Sequence, residues 1–136
     1  MAGLQVLENK FSGQGFHVLG FLSDDFGDQG GTSGDGGTID ACTDMYHVTF
    51  PQFQLDHVVL PPVQPVFAWL YTQPNPGPAQ PMQPIWNFGK WLVSRHGVVT
   101  GHWATTDYPG ADPSVPGSMF DASDIVIAIE AELAKP

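Results

Sequence analysis

Cysteine is almost absent from this 136-residue chain; the one thiol is Cys42. A single cysteine closes no internal disulfide, so a reducing compartment, the cytoplasm, is expected. Basic residues are nearly as scarce. Lys10, Lys90, Arg95 and Lys135 stand against fourteen acidic residues, and the formal net charge is −10. Binding to phosphate backbones needs clustered Lys or Arg, which argues against nucleic acid and equally against anionic lipid surfaces. No apolar run reaches membrane-spanning length, and the start "MAGLQVLENKF" lacks the basic and apolar segments of a signal peptide. The five histidines are scattered without zinc-ligand spacing. Asp24, Asp25, Asp28 and Asp35 lack the spacing and terminal Glu of a calcium loop, so a solvated acidic loop is expected. "GDQGGTSGDGG" has no Lys-Ser/Thr ending and is no phosphate loop. The sequence therefore calls for no metal and no cofactor.

What is present is enough for one globular domain over 1–136. The chain is 42% hydrophobic, with nine Phe and four Trp. Leu4, Leu7 and Phe11 recur at helical spacing, and Gly13 and Gly15 end that helix. "FHVLGF", Phe16 to Phe21, reads as a buried strand. "GTIDACTDMYH" reads as a short helix capped by Thr38, and "VTFPQFQLDHVVL" as extended chain. "PVFAWLYT" opens with Pro65 at a first helical position. "KWLVSRHGVVTGHW" is a hairpin with "RHG" as its turn, and His96 and His102 are expected at its surface. "DASDIVIAIEAELAKP" is a closing helix, capped by Asp121 or Ser123, with Ile125, Ile129 and Leu133 on one stripe. The order implies an α/β thioredoxin-like three-layer sandwich. The expectation is that it is truncated at the N-terminus, because the first helix begins abruptly at Met1 and the central strand that such a sheet carries before it is missing.

Five colinear segments carry a resemblance. "GLQVLENKFSGQGFHVLGF", "FGDQGG", "CTDMYHVTFPQF", "QPVFAWL" and "WNFGKWLVSRHG" are similar to successive motifs of the glutathione peroxidase family, the last to its "WNFTKFLVDRDG". Members reduce hydrogen peroxide or organic hydroperoxides with a cysteine or selenocysteine, which becomes sulfenic acid. The resemblance places Gln29 at the active-site glutamine and Trp86 and Asn87 at the tryptophan and asparagine of the catalytic tetrad. Such amide and indole N–H groups stabilise a thiolate and orient peroxide oxygens. Cys42 falls at the resolving cysteine. The peroxidatic cysteine has no counterpart in the 136 residues, so the chain is expected to be inactive by itself.

"LSDDFG" replaces the family's "PCNQFG", setting Asp24 and Asp25 near the site, where carboxylates oppose a thiolate. Only Lys90 lies near the site motifs, so the resemblance implies thioredoxin rather than glutathione as reductant. Three alternatives stand beside this reading. Cys42 is an inert buried residue; Cys42 acts alone as the peroxidatic thiol; or the chain is a non-catalytic thioredoxin-fold binding protein. Open sheet edges at the absent strand imply self-association.

Overall fold

The computed structural model describes residues 2–27, 43–44, 46–77, 81–107 and 123–136. Helix α1, Ala2–Phe11, runs into a 3-10 turn, Ser12–Gln14. Gly15 ends it at φ +88°, a left-handed conformation that glycine adopts without a Cβ clash. Leu7 and Phe11 are both buried. Strand β1 is Gly20–Phe21, β2 is Gln52–Phe53, and helix α2 is Pro65–Leu70 with Pro65 in its first turn. The hairpin is β3, Lys90–Val93, and β4, Val99–Trp103, and Gly97 gives its turn a φ of +75°. Helix α3, Asp124–Leu133, is capped by the Ser123 side chain, which accepts from the Val126 N–H at 3.2 Å.

The strands form two separate ladders. β1 pairs with β2 in parallel, Gly20 with Gln52 and Phe21 with Phe53. β3 pairs with β4 antiparallel, Trp91 with His102, and the register shifts between Leu92 and Val93. No ladder joins β1 to β3 among the described residues. The run Phe16–Phe21, expected as one strand, pairs only at Gly20 and Phe21.

Both ladders are covered by the same two layers. On one face, Leu7 and Phe11 of α1 and Ile125, Val126 and Ile129 of α3 pack with Leu92 and Trp103, and Phe16 and Val18 lie against them. On the other face, Phe67 and Leu70 of α2 pack with Val58, Met82 and Val99, and Phe21 and Trp91 lie against them. This is a helix–sheet–helix layering around a sheet in two halves. Ile125 and Ile129 of the expected α3 stripe are buried, and Leu133 is half-buried.

Of the short helix expected around Cys42, Thr43, Asp44 and Tyr46 are helical. Thr38, the expected cap, Cys42 and Gln29 lie outside the described residues.

Candidate active site

The segment before the hairpin holds the Trp86–Asn87 pair. Phe88 takes φ +62°, a conformation costly for a bulky residue, so the surroundings must impose it. Three bonds do so. The Lys90 Nζ donates to the Phe88 carbonyl at 2.7 Å and to the Ala104 carbonyl at 3.0 Å. The Thr105 hydroxyl donates to the Asn87 carbonyl at 2.6 Å. Asp107 Oδ2 accepts from the Ala104 N–H at 2.9 Å and holds the receiving strand end. The turn is therefore pinned to the far end of β4.

Burial pushes the Lys90 ammonium down to about 8, and the Asp107 carboxylate offsets part of that. Between about pH 8 and 10.5 the unfolded chain then binds more protons at this lysine than the folded chain. The Lys90 contribution to stability rises with pH across that window. Urea unfolding at successive pH values is expected to show this rise relative to Lys90→Met, which lacks the titrating group.

A shallow cleft opens beside this turn, lined by Pro84, Trp86, Gly89, His102, Trp103 and Thr105. Trp86 is half-exposed at its rim, and Ile85 and Phe88 flank it with most of their surface in solvent. Phe26 packs against the Trp86 ring, centroids 6.1 Å apart. Phe26 belongs to the "FGDQ" loop, three residues before Gln29 along the chain.

His102 corrects the expectation of a surface histidine: it is 2% exposed. Its ring stacks on Trp91 across the ladder, 5.1 Å between centroids and 12° between planes. Nδ1 lies 3.3 Å from Asn75 Oδ1. Gly77 comes so close that a Cβ there would stand 2.0 Å from the His102 carbonyl oxygen. His96, by contrast, is exposed as expected. The missed signal is register: His102 sits opposite Trp91 in a hairpin covered on both faces.

Asp25 corrects the expectation of a solvated acidic loop. Its carboxylate has no exposed surface. Oδ2 accepts from the N–H groups of Val58, Val59 and Leu60 at 2.7, 2.6 and 3.2 Å, and Oδ1 lies 2.6 Å from His57 Nδ1. Burial alone would raise its pKa. The Val59 N–H, the His57 ring and the N–H groups of Leu60 and Val58 outweigh that and hold it at about 2. Tyr71 donates its hydroxyl to the Val58 carbonyl, and burial together with the Asp25 charge raises its own pKa. Asp25 is thus an anchor between the Phe26 turn and the 57–60 segment.

No family model matches the chain. A hydroperoxy fatty acid reductase of Synechocystis sp. is 40% identical over 112 residues, 79% of this chain and 65% of that protein. A glutathione peroxidase-like peroxiredoxin of Schizosaccharomyces pombe is 34% identical over 107 residues, 79% and 66% of the two chains. A glutathione peroxidase homolog of Halalkalibacterium halodurans is 36% identical over 107 residues, 78% and 66%. The chain thus spans just under two thirds of the length of these relatives. A crystal structure of Trgpx in apo form superposes with a TM-score of 0.58 at 28% identity, covering 79% of this chain and 61% of that one. The layering is that of a thioredoxin-like α/β fold, and the chain belongs to the glutathione peroxidase family.

Proposed function

We propose that this chain serves a glutathione peroxidase-like thiol peroxidase, reducing hydrogen peroxide or organic hydroperoxides in oxidative-stress defence in the cytoplasm. In this reading Gln29, Trp86 and Asn87 present N–H groups to a peroxidatic thiolate and to the peroxide oxygens. The thiolate attacks one peroxide oxygen, the O–O bond breaks, and the leaving oxygen departs with a proton as water or alcohol. The sulfur is left as sulfenic acid. Cys42, as resolving thiolate, attacks that sulfur and displaces water, and a dithiol reductant returns two electrons to the disulfide.

The single observation that carries this reading is the contact of Phe26 with Trp86. It brings the loop leading to Gln29 against the Trp86–Asn87 turn, at the rim of a cleft. Thioredoxin is favoured as reductant because Lys90, the cation close to the Trp86–Asn87 pair, is committed to two backbone carbonyls. It offers no clamp for the carboxylates of glutathione.

Titration with a small organic hydroperoxide, followed by NMR, tests the reading. The Trp86 indole and Asn87 amide signals are expected to shift saturably; unmoved signals would overturn it. Peroxide consumption by the 136-residue polypeptide is expected to be negligible with thioredoxin or glutathione as reductant. Turnover at an ordinary enzymatic rate, about 10 per second, would contradict a mechanism that needs a thiol other than Cys42.

The second reading is a non-catalytic thioredoxin-fold interaction protein, which associates with itself or another chain through open sheet edges. The separation of β1–β2 from β3–β4 favours it. Peroxide turnover by any form of the protein that contains these residues decides against it.

A further inference from the structure

The turn that carries Trp86 and Asn87 is held at two successive peptide planes. The Thr105 hydroxyl donates to the Asn87 carbonyl at 2.6 Å. The Lys90 Nζ donates to the next carbonyl, that of Phe88, at 2.7 Å. Phe88 lies between the two planes and has a φ of +62°. A peptide unit is flat, so a bond to its carbonyl orients the whole plane. The Lys90 bond holds the plane after Phe88 and so constrains ψ. The plane before Phe88 sets φ, and there the hydroxyl bond comes from Thr105.

That plane also contains the Asn87 Cα, from which the amide side chain springs. A left-handed conformation costs a bulky residue about as much as one neutral hydrogen bond returns. Without the hydroxyl, the Asn87–Phe88 unit is free to rotate toward ordinary backbone, and the Asn87 side chain turns with it. The donor end is built to stay in place. The Ala104 N–H is tied to Asp107 Oδ2 at 2.9 Å. The Ala104 carbonyl accepts from Lys90 at 3.0 Å and from the Asp107 N–H at 3.2 Å. Trp103, one residue earlier, is buried in the cluster under α3. Thr105 itself lines the cleft beside Trp86. A rigid strand end thus presents a hydroxyl to a turn that needs holding.

We propose that Thr105 is a positioning residue of this site: its hydroxyl orients the Asn87–Phe88 peptide and so sets where the Asn87 amide meets a bound peroxide. The hydroxyl itself touches no reacting atom. The proposal rests on the peroxide reading above. It separates the hydroxyl from the rest of the side chain. Valine has nearly the shape of threonine and no donor, whereas serine keeps the donor and loses a methyl group. A Thr105 that only filled space would tolerate valine and suffer from serine. A hydroxyl that only satisfied a carbonyl would lower the urea midpoint on removal and leave the Phe88 backbone and the peroxide affinity as they are. A positioning hydroxyl moves both, and serine restores both.

The test compares the isotope-labelled chain with its Thr105→Val and Thr105→Ser variants by NMR. One signal is the three-bond coupling of the Phe88 amide, which reports φ. The other is the shift of the Trp86 indole and Asn87 amide on titration with tert-butyl hydroperoxide. In Thr105→Val the coupling is expected to leave its wild-type value. The apparent dissociation constant is expected to rise about ten-fold, the scale of one oriented hydrogen bond. Thr105→Ser is expected to keep the coupling and to bind within about two-fold of wild type, because its donor is retained. Thr105→Ala, which adds no atom, repeats the comparison should valine unsettle the fold. The proposal is overturned if either signal stays at its wild-type value in the valine and alanine variants, whatever the urea midpoint does. A serine variant as impaired as the valine one also overturns it. If the hydroperoxide moves no signal in the wild type, the peroxide reading fails and the proposal falls with it. Signals that move equally in wild type and Thr105→Val sink the proposal alone.

Discussion

Asp25→Ala is expected to lower the free energy of unfolding by about 2–4 kcal/mol, the cost of leaving part-buried backbone donors without their charged acceptor. Three consecutive N–H groups, those of Val58, Val59 and Leu60, end on one carboxylate oxygen, and the His57 ring is on the other. Removing the acceptor leaves the part-buried N–H groups of Val58 and Val59 unpaired, at about 1–3 kcal/mol each, whereas the exposed Leu60 N–H turns to water. Urea unfolding of the two proteins measures the loss. The pH dependence fixes its origin. The folded-state pKa of Asp25, about 2, lies below the ordinary value of 3.8. The stabilisation is therefore complete above that ordinary value and is lost as pH falls toward 2. The difference between wild type and Asp25→Ala is expected to shrink across that acid window and to stay constant between pH 5 and 7. A difference that persists undiminished at the lowest pH would mean that packing, not charge, holds the turn.

Gly101→Ala is expected to cost about 2–3 kcal/mol, the upper part of the range for overpacking. Gly101 has ordinary strand geometry, so the cost comes from space. A Cβ there would stand 2.1 and 2.5 Å from two ring carbons of Trp103. Trp103 is 7% exposed and packs with Leu92, Ile125, Val126 and Ile129. The indole has to leave its site over the hairpin, and the cluster under α3 loosens with it. Near-ultraviolet circular dichroism is expected to lose part of its tryptophan signal, alongside a lower urea midpoint. A variant with an unchanged spectrum and midpoint would show that Trp103 does not lie over Gly101.

Both positions mark the boundary of what the sequence makes legible. Local patterns translated directly. The 3.6-residue spacing of α1 and α3, Pro65 at the start of α2, and the turn at Gly97 all depend on near neighbours. Asp25 was hidden in an acidic, glycine-rich stretch because its partners lie 33 to 35 residues away. His102 reads as a surface residue because one histidine after a glycine carries no sign of the Trp91 ring it covers. The expected strand at Phe16–Phe21 shortened to two paired residues for a related reason. Pairing is a property of two strands, and one edge of this segment has no partner among the described residues.

The site divides along the same line. Trp86 and Asn87 stand out because a specific motif frames them, and the turn that holds them is pinned by Lys90 and Thr105. The bonds that reach across, from Lys90 to the Ala104 carbonyl and from Thr105 to the Asn87 carbonyl, are not visible without β4 folded back on the turn. The proposed roles of Gln29 and Cys42 rest on the resemblance and on the position of Phe26 beside Trp86.

The most direct measurement is a nuclear Overhauser spectrum of the isotope-labelled chain, read between the side-chain amide protons of Gln29 and the Trp86 indole. Cross-peaks between those groups, with others from the Asn87 amide to the same indole, are expected if the three side chains converge on one pocket. An assigned Gln29 amide with contacts elsewhere and none to Trp86 or Asn87 would contradict that convergence, and with it the proposed peroxide site.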